Sequence, residues 1–90
     1  MTTKETIDNL WKEGLSGSAD LKDKDRSPYH EFSAGTFQDF ECAAECIEVS
    51  FRRGNEVIAR KKPPGHMRSV PGDVTIVVNG GNEGGRAKVW

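Results

Sequence analysis

Apolar residues near the start of the chain fall at Ile7, Leu10, Trp11 and Leu15. That is the i, i+3, i+4, i+8 spacing of one helical stripe. Thr2 and Glu5 have the spacing of a capping box, and Gly14 and Gly17 supply stops. The pattern predicts a helix over residues 1–16, with Glu5, Asp8 and Glu13 mostly opposite the stripe. Ser16 to Pro28 alternates charges around a single Leu and closes on Pro, which predicts a flexible linker or loop over 17–30. Between Phe32 and Ala44 two readings stand. Thr36 can cap a short helix whose Phe37, Phe40, Ala44 and Ile47 share a face, or a strand can precede Cys46.

Beyond Cys46 the period changes to two. Ile47, Val49 and Phe51 alternate with polar residues, and Glu56 to Lys61 follows after Arg53-Gly54-Asn55. The pattern predicts a β-hairpin. A two-residue Gly-Asn loop pairs Phe51 with Ile58 and sets Val49 against Arg60. A three-residue loop pairs Phe51 with Val57, Val49 with Ala59, Arg52 with Glu56 and Glu48 with Arg60. The second register keeps apolar with apolar and opposes unlike charges, each pair worth about 0.2–1 kcal/mol, so it is the one expected. The segment Pro63 to Gly72 carries three prolines and two glycines and predicts no regular element. Val74 to Val78 is rich in β-branched residues and predicts a strand. Asn79 to Gly85 reads as a loose turn, and Arg86 to Trp90 as a short returning strand.

Together these elements give an α+β expectation for one small domain, residues 1–90. An N-terminal helix would pack on a three- or four-stranded, mainly antiparallel sheet formed by a β-rich core over 31–90. Composition limits the core: 34% of the residues are hydrophobic, ten are Gly and four Pro, and the mean hydropathy is −0.66. A chain this short buries only about 60–65% of its unfolded surface. No apolar run approaches the ~18–20 residues that span a bilayer, and Met1 to Glu5 lacks the apolar stretch of a signal peptide. The expectation is a cytoplasmic protein with no membrane contact, in which Cys42 and Cys46 are reduced thiols.

The chemistry-bearing residues form no catalytic pattern. No nucleophile elbow, zinc-protease helix motif or phosphate loop occurs, so the chain reads as non-enzymatic. Cys42, Cys46, His30 and His66 are the residue types of a zinc site, but the two histidines lie too far apart for the usual spacing. Asp20, Asp23 and Asp25 lack the Gly and Glu of a calcium loop. No metal and no cofactor are expected.

Charge changes the picture more than chemistry does. Residues 1–50 carry a net −6 and residues 51–90 a net +5. The basic half concentrates Arg52, Arg53, Arg60, Lys61, Lys62 and Arg68 on the hairpin and the loop after it. Such a cluster suits an acidic protein partner or self-association, because complementary potentials steer encounter. Trp11 or Phe37 would be apolar anchors if exposed. The alternative is a nucleic-acid-binding module using the same residues. Against it stand an isoelectric point near 6.1 and the absence of aromatics interleaved with the bases.

Cys46-Ile47-Glu48-Val49-Ser50, the Gly-containing turn, and Val57-Ile58-Ala59-Arg60-Lys61-Lys62-Pro63-Pro64-Gly65 resemble the core of the BldB-like domain of unknown function. Members are encoded beside helix-turn-helix regulators in actinobacteria. The likeness covers about twenty residues. Lys61-Lys62 stands where that family has Asp-Ser, and the family's final Trp-x-x-Phe helix is replaced here by a Gly-rich segment before Trp90. The resemblance implies a non-enzymatic regulatory accessory or inhibitor-type protein acting through protein contacts.

Overall fold

A computed structural model describes residues 3–22 and 26–90. In chain order they form a helix, α1 (Thr3–Leu10), and nine short strands: β1 (Lys12–Glu13), β2 (Arg26–Ser27), β3 (Tyr29–Phe32), β4 (Phe40–Cys42), β5 (Glu48–Arg53), β6 (Glu56–Lys61), β7 (Gly65–Met67), β8 (Thr75–Asn79) and β9 (Gly85–Val89). The strands assemble into two antiparallel sheets, ordered β1-β7-β4-β9-β2 and β3-β8-β5-β6. The expected helix on one small sheet is therefore wrong: the described residues are mostly β, with two sheets and one short helix. Packed between the sheets are Phe40, Cys42, Met67 and Ala87 from the first and Val49, Phe51, Ala59, Ile76 and Val78 from the second.

The helix stops at Leu10 instead of running to residue 16. Ile7 is fully buried and Leu10 and Trp11 pack on the core, but Leu15, the last member of the predicted stripe, is exposed. Nothing rewards a longer helix, and short helices are marginal without tertiary packing. The backbone of Lys12 and Glu13 gains more by pairing with His66 and Gly65 of β7. The expected cap at Thr2 lies outside the described residues.

The described parts of the segment expected as a linker are also structured. Arg26–Ser27 pairs with β9, and Tyr29–Phe32 pairs with β8. Residues 14–21 lie across the outer face of the five-stranded sheet, tied down at intervals. Gly14 N donates to Pro64 O at 3.1 Å and His66 Nδ1 to Gly14 O at 2.8 Å. Arg68 Nη2 donates to Ser18 Oγ and Arg86 Nη1 to Leu21 O, both at 2.8 Å. Asp23 and Asp25 of the aspartate cluster lie outside the described residues. Of the two readings for 32–44, the strand is the one formed, as β4.

The hairpin is present in neither simple register. Gly54 and Asn55 make a two-residue turn that pairs Arg53 with Glu56 and Arg52 with Val57, and a bulge then sets Phe51 opposite Ala59 and Val49 opposite Lys61. Gly54 has φ +64°, the left-handed conformation that two-residue hairpin turns require and L side chains resist. The bulge adds one residue, Ile58, to β6. It returns Phe51 and Ala59 to one buried face, which the expected three-residue loop was meant to do by itself. The proline-rich stretch also yields a strand, β7, because its prolines flank Gly65–Met67 and remove no ladder donor.

The predicted strands at 74–78 and 86–90 form, as β8 and β9, but they do not pair with each other. β8 lies between β3 and β5, whereas β9 crosses to the other sheet beside β4 and β2. The crossing brings backbone against backbone. A Cβ on Gly80 would sit 2.3 Å from Gly85 N and 2.6 Å from Ser27 O, so the Gly-rich segment is a packed corner instead of a loose turn.

Candidate interaction surface

The residues expected to contact a partner fall into three groups. Trp11 and Phe37 are packed against the core, so neither is an exposed anchor. The Trp11 ring meets Phe51 edge-on at 5.9 Å and lies on Gly65, where a Cβ would come within 1.9 Å of it. Phe37 stands edge-on to Phe32 at 6.1 Å.

Five of the six cations carry ion pairs. Arg52 reaches Glu31 at 2.9 Å, Arg53 reaches Asp73 at 2.8 Å, Arg60 reaches Glu48 at 3.5 Å, Lys61 reaches Asp8 at 2.5 Å and Arg68 reaches Asp39 at 3.9 Å. Lys62 is exposed, with no ion pair among the described residues. The Glu48–Arg60 pair expected from sequence forms as a diagonal contact, since Arg60 lies opposite Ser50. Arg52 turns instead to Glu31 of β3, reaching it across the intervening strand β8. The reversed charges of the two halves thus meet inside one molecule.

These pairs are not equivalent. In Arg53–Asp73 and Arg60–Glu48 the side chains are roughly half to two-thirds exposed, whereas Lys61 is only 25% exposed and Arg52 29%. Exposed pairs contribute about 0–1 kcal/mol, so Arg53 and Arg60 can exchange an internal carboxylate for an external one at little cost. Lys61 anchors α1 to β6 through Asp8. Lys4, also bound to Asp8 at 3.0 Å, and Lys61 together hold that carboxyl below the ordinary value of 3.8.

Strand β6 is the edge of the four-stranded sheet. Its outer side has no strand partner among the described residues, and Val57, Arg60 and the adjoining Lys62 are exposed along it. Ile47, Glu48, Arg60, Lys61 and Lys62 surround a shallow hollow of about 220 Å³ beside it. Ile47 is 58% and Val57 39% exposed. Sequence reasoning placed both on the buried face. Ile47 precedes β5, its N–H bonding Asn79 O, and Val57 lies beyond the bulge. Glu31 and Asp73 were also missed, because only the sheet pairing brings them to the arginines.

The zinc-type residues do not converge. No three His, Cys, Asp or Glu side chains among the described residues surround a point. His66 is bound to Gly14 O on the five-stranded sheet, and His30 lies beside Phe32 on the other. Cys42 and Cys46 are both buried and adjacent. Hydrogen bonding from Cys42 lowers the Cys46 thiol, while the same contact and burial push Cys42 far up. No helix among the described residues is long and apolar enough to cross a membrane. Comparison with protein-family models, with curated proteins and with solved structures finds no match to this chain.

Proposed function

We infer that the chain is a non-catalytic protein-interaction module whose hairpin edge receives an extended, acidic segment of a partner protein. The observation that carries this reading is β6, a six-residue edge strand flanked by exposed cations. An unpaired strand edge is a template for strand addition, with backbone hydrogen bonds giving affinity and alternate side chains giving specificity. Arg53, Arg60 and Lys62 supply the charge, and Ile47 and Val57 the apolar contacts. Lys61, Arg52 and Arg68 keep roles inside the fold. The resemblance of this same hairpin to the BldB-like domain points to the same class of role, a regulatory accessory acting through protein contacts.

Titration of isotope-labelled protein with an extended peptide alternating Glu and Val tests the reading. Amide shifts are expected along Glu56–Lys62 and at Ile47, and the Lys-for-Glu peptide should produce none. The Arg53→Glu, Lys62→Glu double variant should weaken binding about tenfold or more, equivalent to ~1.4 kcal/mol. Equal response to both peptides, or shifts confined to another face, refutes it. A salt-dependent gel shift with duplex DNA that the double variant abolishes would replace it with the nucleic-acid reading.

A further inference from the structure

The two sheets leave a gap at each side, and only one is filled. On the β6 side α1 plugs it: Ile7 has no exposed surface, and Trp11 sits between Phe51 and Gly65. On the opposite side, where β2 and β3 are the edge strands, a cleft of about 350 Å³ opens between the sheets. Phe32 and Val78 line one wall and Ala87 and Val89 the other, with Arg26, His30 and Lys88 also in the lining.

His30 shows that this opening is unusual for the fold. Its partner in register is Val78, which is 1% exposed on the core-facing side of its strand. His30 shares that inward face, two residues from Phe32, yet it is exposed. A polar, solvent-reaching side chain on the inner face of a sheet is the reverse of the usual alternation. The ring is supported by Phe32, whose centroid lies 4.3 Å away. Phe32 is in turn held edge-on by Phe37 and Phe40, so the aromatic wall is braced from behind.

The charge of the lining is one-sided. Arg26 donates to Glu83 O at 3.4 Å and makes no ion pair among the described residues. Glu45, which also feels Arg26, is bound to Arg86. No carboxylate lines the cleft among the described residues. Small-molecule sites typically enclose about 300–1,000 Å³, with apolar walls and a few polar groups that fix orientation. We propose that this cleft is a binding site for a small organic anion with a flat apolar body. The body lies between Phe32–Val78 and Ala87–Val89, and the anionic group is held at the mouth by Arg26 and His30. The site is on the opposite side of the sandwich from β6 and stands independently of the partner-binding reading.

Anilinonaphthalene sulfonate and its uncharged parent, phenylnaphthylamine, are the probes. The sulfonate should bind the folded protein saturably at one site, with the near-ultraviolet circular dichroism unchanged. The neutral parent and the Arg26→Glu variant should each show about tenfold weaker affinity, or ~1.4 kcal/mol. Amide shifts on the wild-type chain should map to Tyr29–Phe32 and Gly85–Val89, a readout that needs no variant. Ala87→Phe, which fills the cleft, should abolish the response while retaining the circular dichroism. Equal binding of the neutral parent, unsaturable binding, or shifts mapping elsewhere overturns the proposal.

Discussion

At the scale of single residues, the side chains whose neighbours matter most are those the sequence made look ordinary. Cys42 and Cys46 have an unremarkable spacing, but β4 and the turn after it bury them side by side. Cys42 donates its hydrogen bond to Cys46, so a proton leaves Cys46 first; the acids Glu41 and Glu45 oppose ionisation of the pair. Thiolate is the reactive form. In a native iodoacetamide time course read by mass spectrometry, Cys46 should be alkylated before Cys42, and both slowly, because they are 4% and 0% exposed. Cys42 reacting first or at the same rate would contradict this pairing. Glu41 is a parallel case. It is 1% exposed, flanked in register by His66 and Lys88, and it accepts hydrogen bonds from the Ser16 amide, at 3.0 Å, and from the Ser16 hydroxyl. In sequence it reads as one acid of an exposed acidic face. Only the segment laid over it makes it an interior group.

At the scale of elements, the local patterns identified strand and helix where the chain buries one face and misjudged where each ends. Ile7, Leu10 and Trp11 do form one packed stripe, but the register of β1 against β7 cuts the helix short. The hairpin was legible in its alternation and in the place of its turn, but the loop is two residues, Gly54 and Asn55, and not the three expected. The bulge was not legible, because it is set by what Ala59 and Ile58 meet across the core. Trp11 and Gly65 join these elements: the ring can reach Phe51 only because position 65 has no side chain. Gly65→Ala should displace the indole and cost about 1–3 kcal/mol, as overpacking does. The melting temperature should fall ~4–8 °C per kcal/mol for a domain of this size. Red-shifted tryptophan emission in the folded variant would confirm that the ring has moved. An unchanged melt and spectrum would show that Trp11 has room to spare.

At the scale of the molecule, the charge split becomes internal wiring. The acids of the first half and the bases of the second meet in Asp8–Lys61, Glu31–Arg52, Glu45–Arg86 and Glu48–Arg60. Arg86 holds Glu45 below the ordinary 4.5, and Lys61 with Lys4 holds Asp8 below 3.8. A carboxyl depressed in the folded state contributes stability that is fully present above its unfolded value. That stability is lost as pH falls through the lower folded value. Chemical denaturation should therefore give constant contributions from these two groups above the ordinary carboxylate range and a decline beneath it. Asp8→Asn with Glu45→Gln should flatten that acid limb. An acid limb as steep in the double variant would place the linkage on other groups.

What the sequence determined by itself was the chemistry and the local geometry. It specified the period-two segments, the turn at Gly54, the absence of catalytic motifs and the opposed charges of the two halves. Tertiary structure alone decided the fold class and the surfaces, because strand pairing here is almost entirely between segments distant in the chain. Among the described residues, only β5 and β6 are sequential neighbours that pair. Local periodicity reports which face of a strand is buried, but it carries no information about which distant strand supplies the neighbour. The second sheet, the cover over Glu41, the edge at β6 and the cleft beside His30 all follow from those distant pairings.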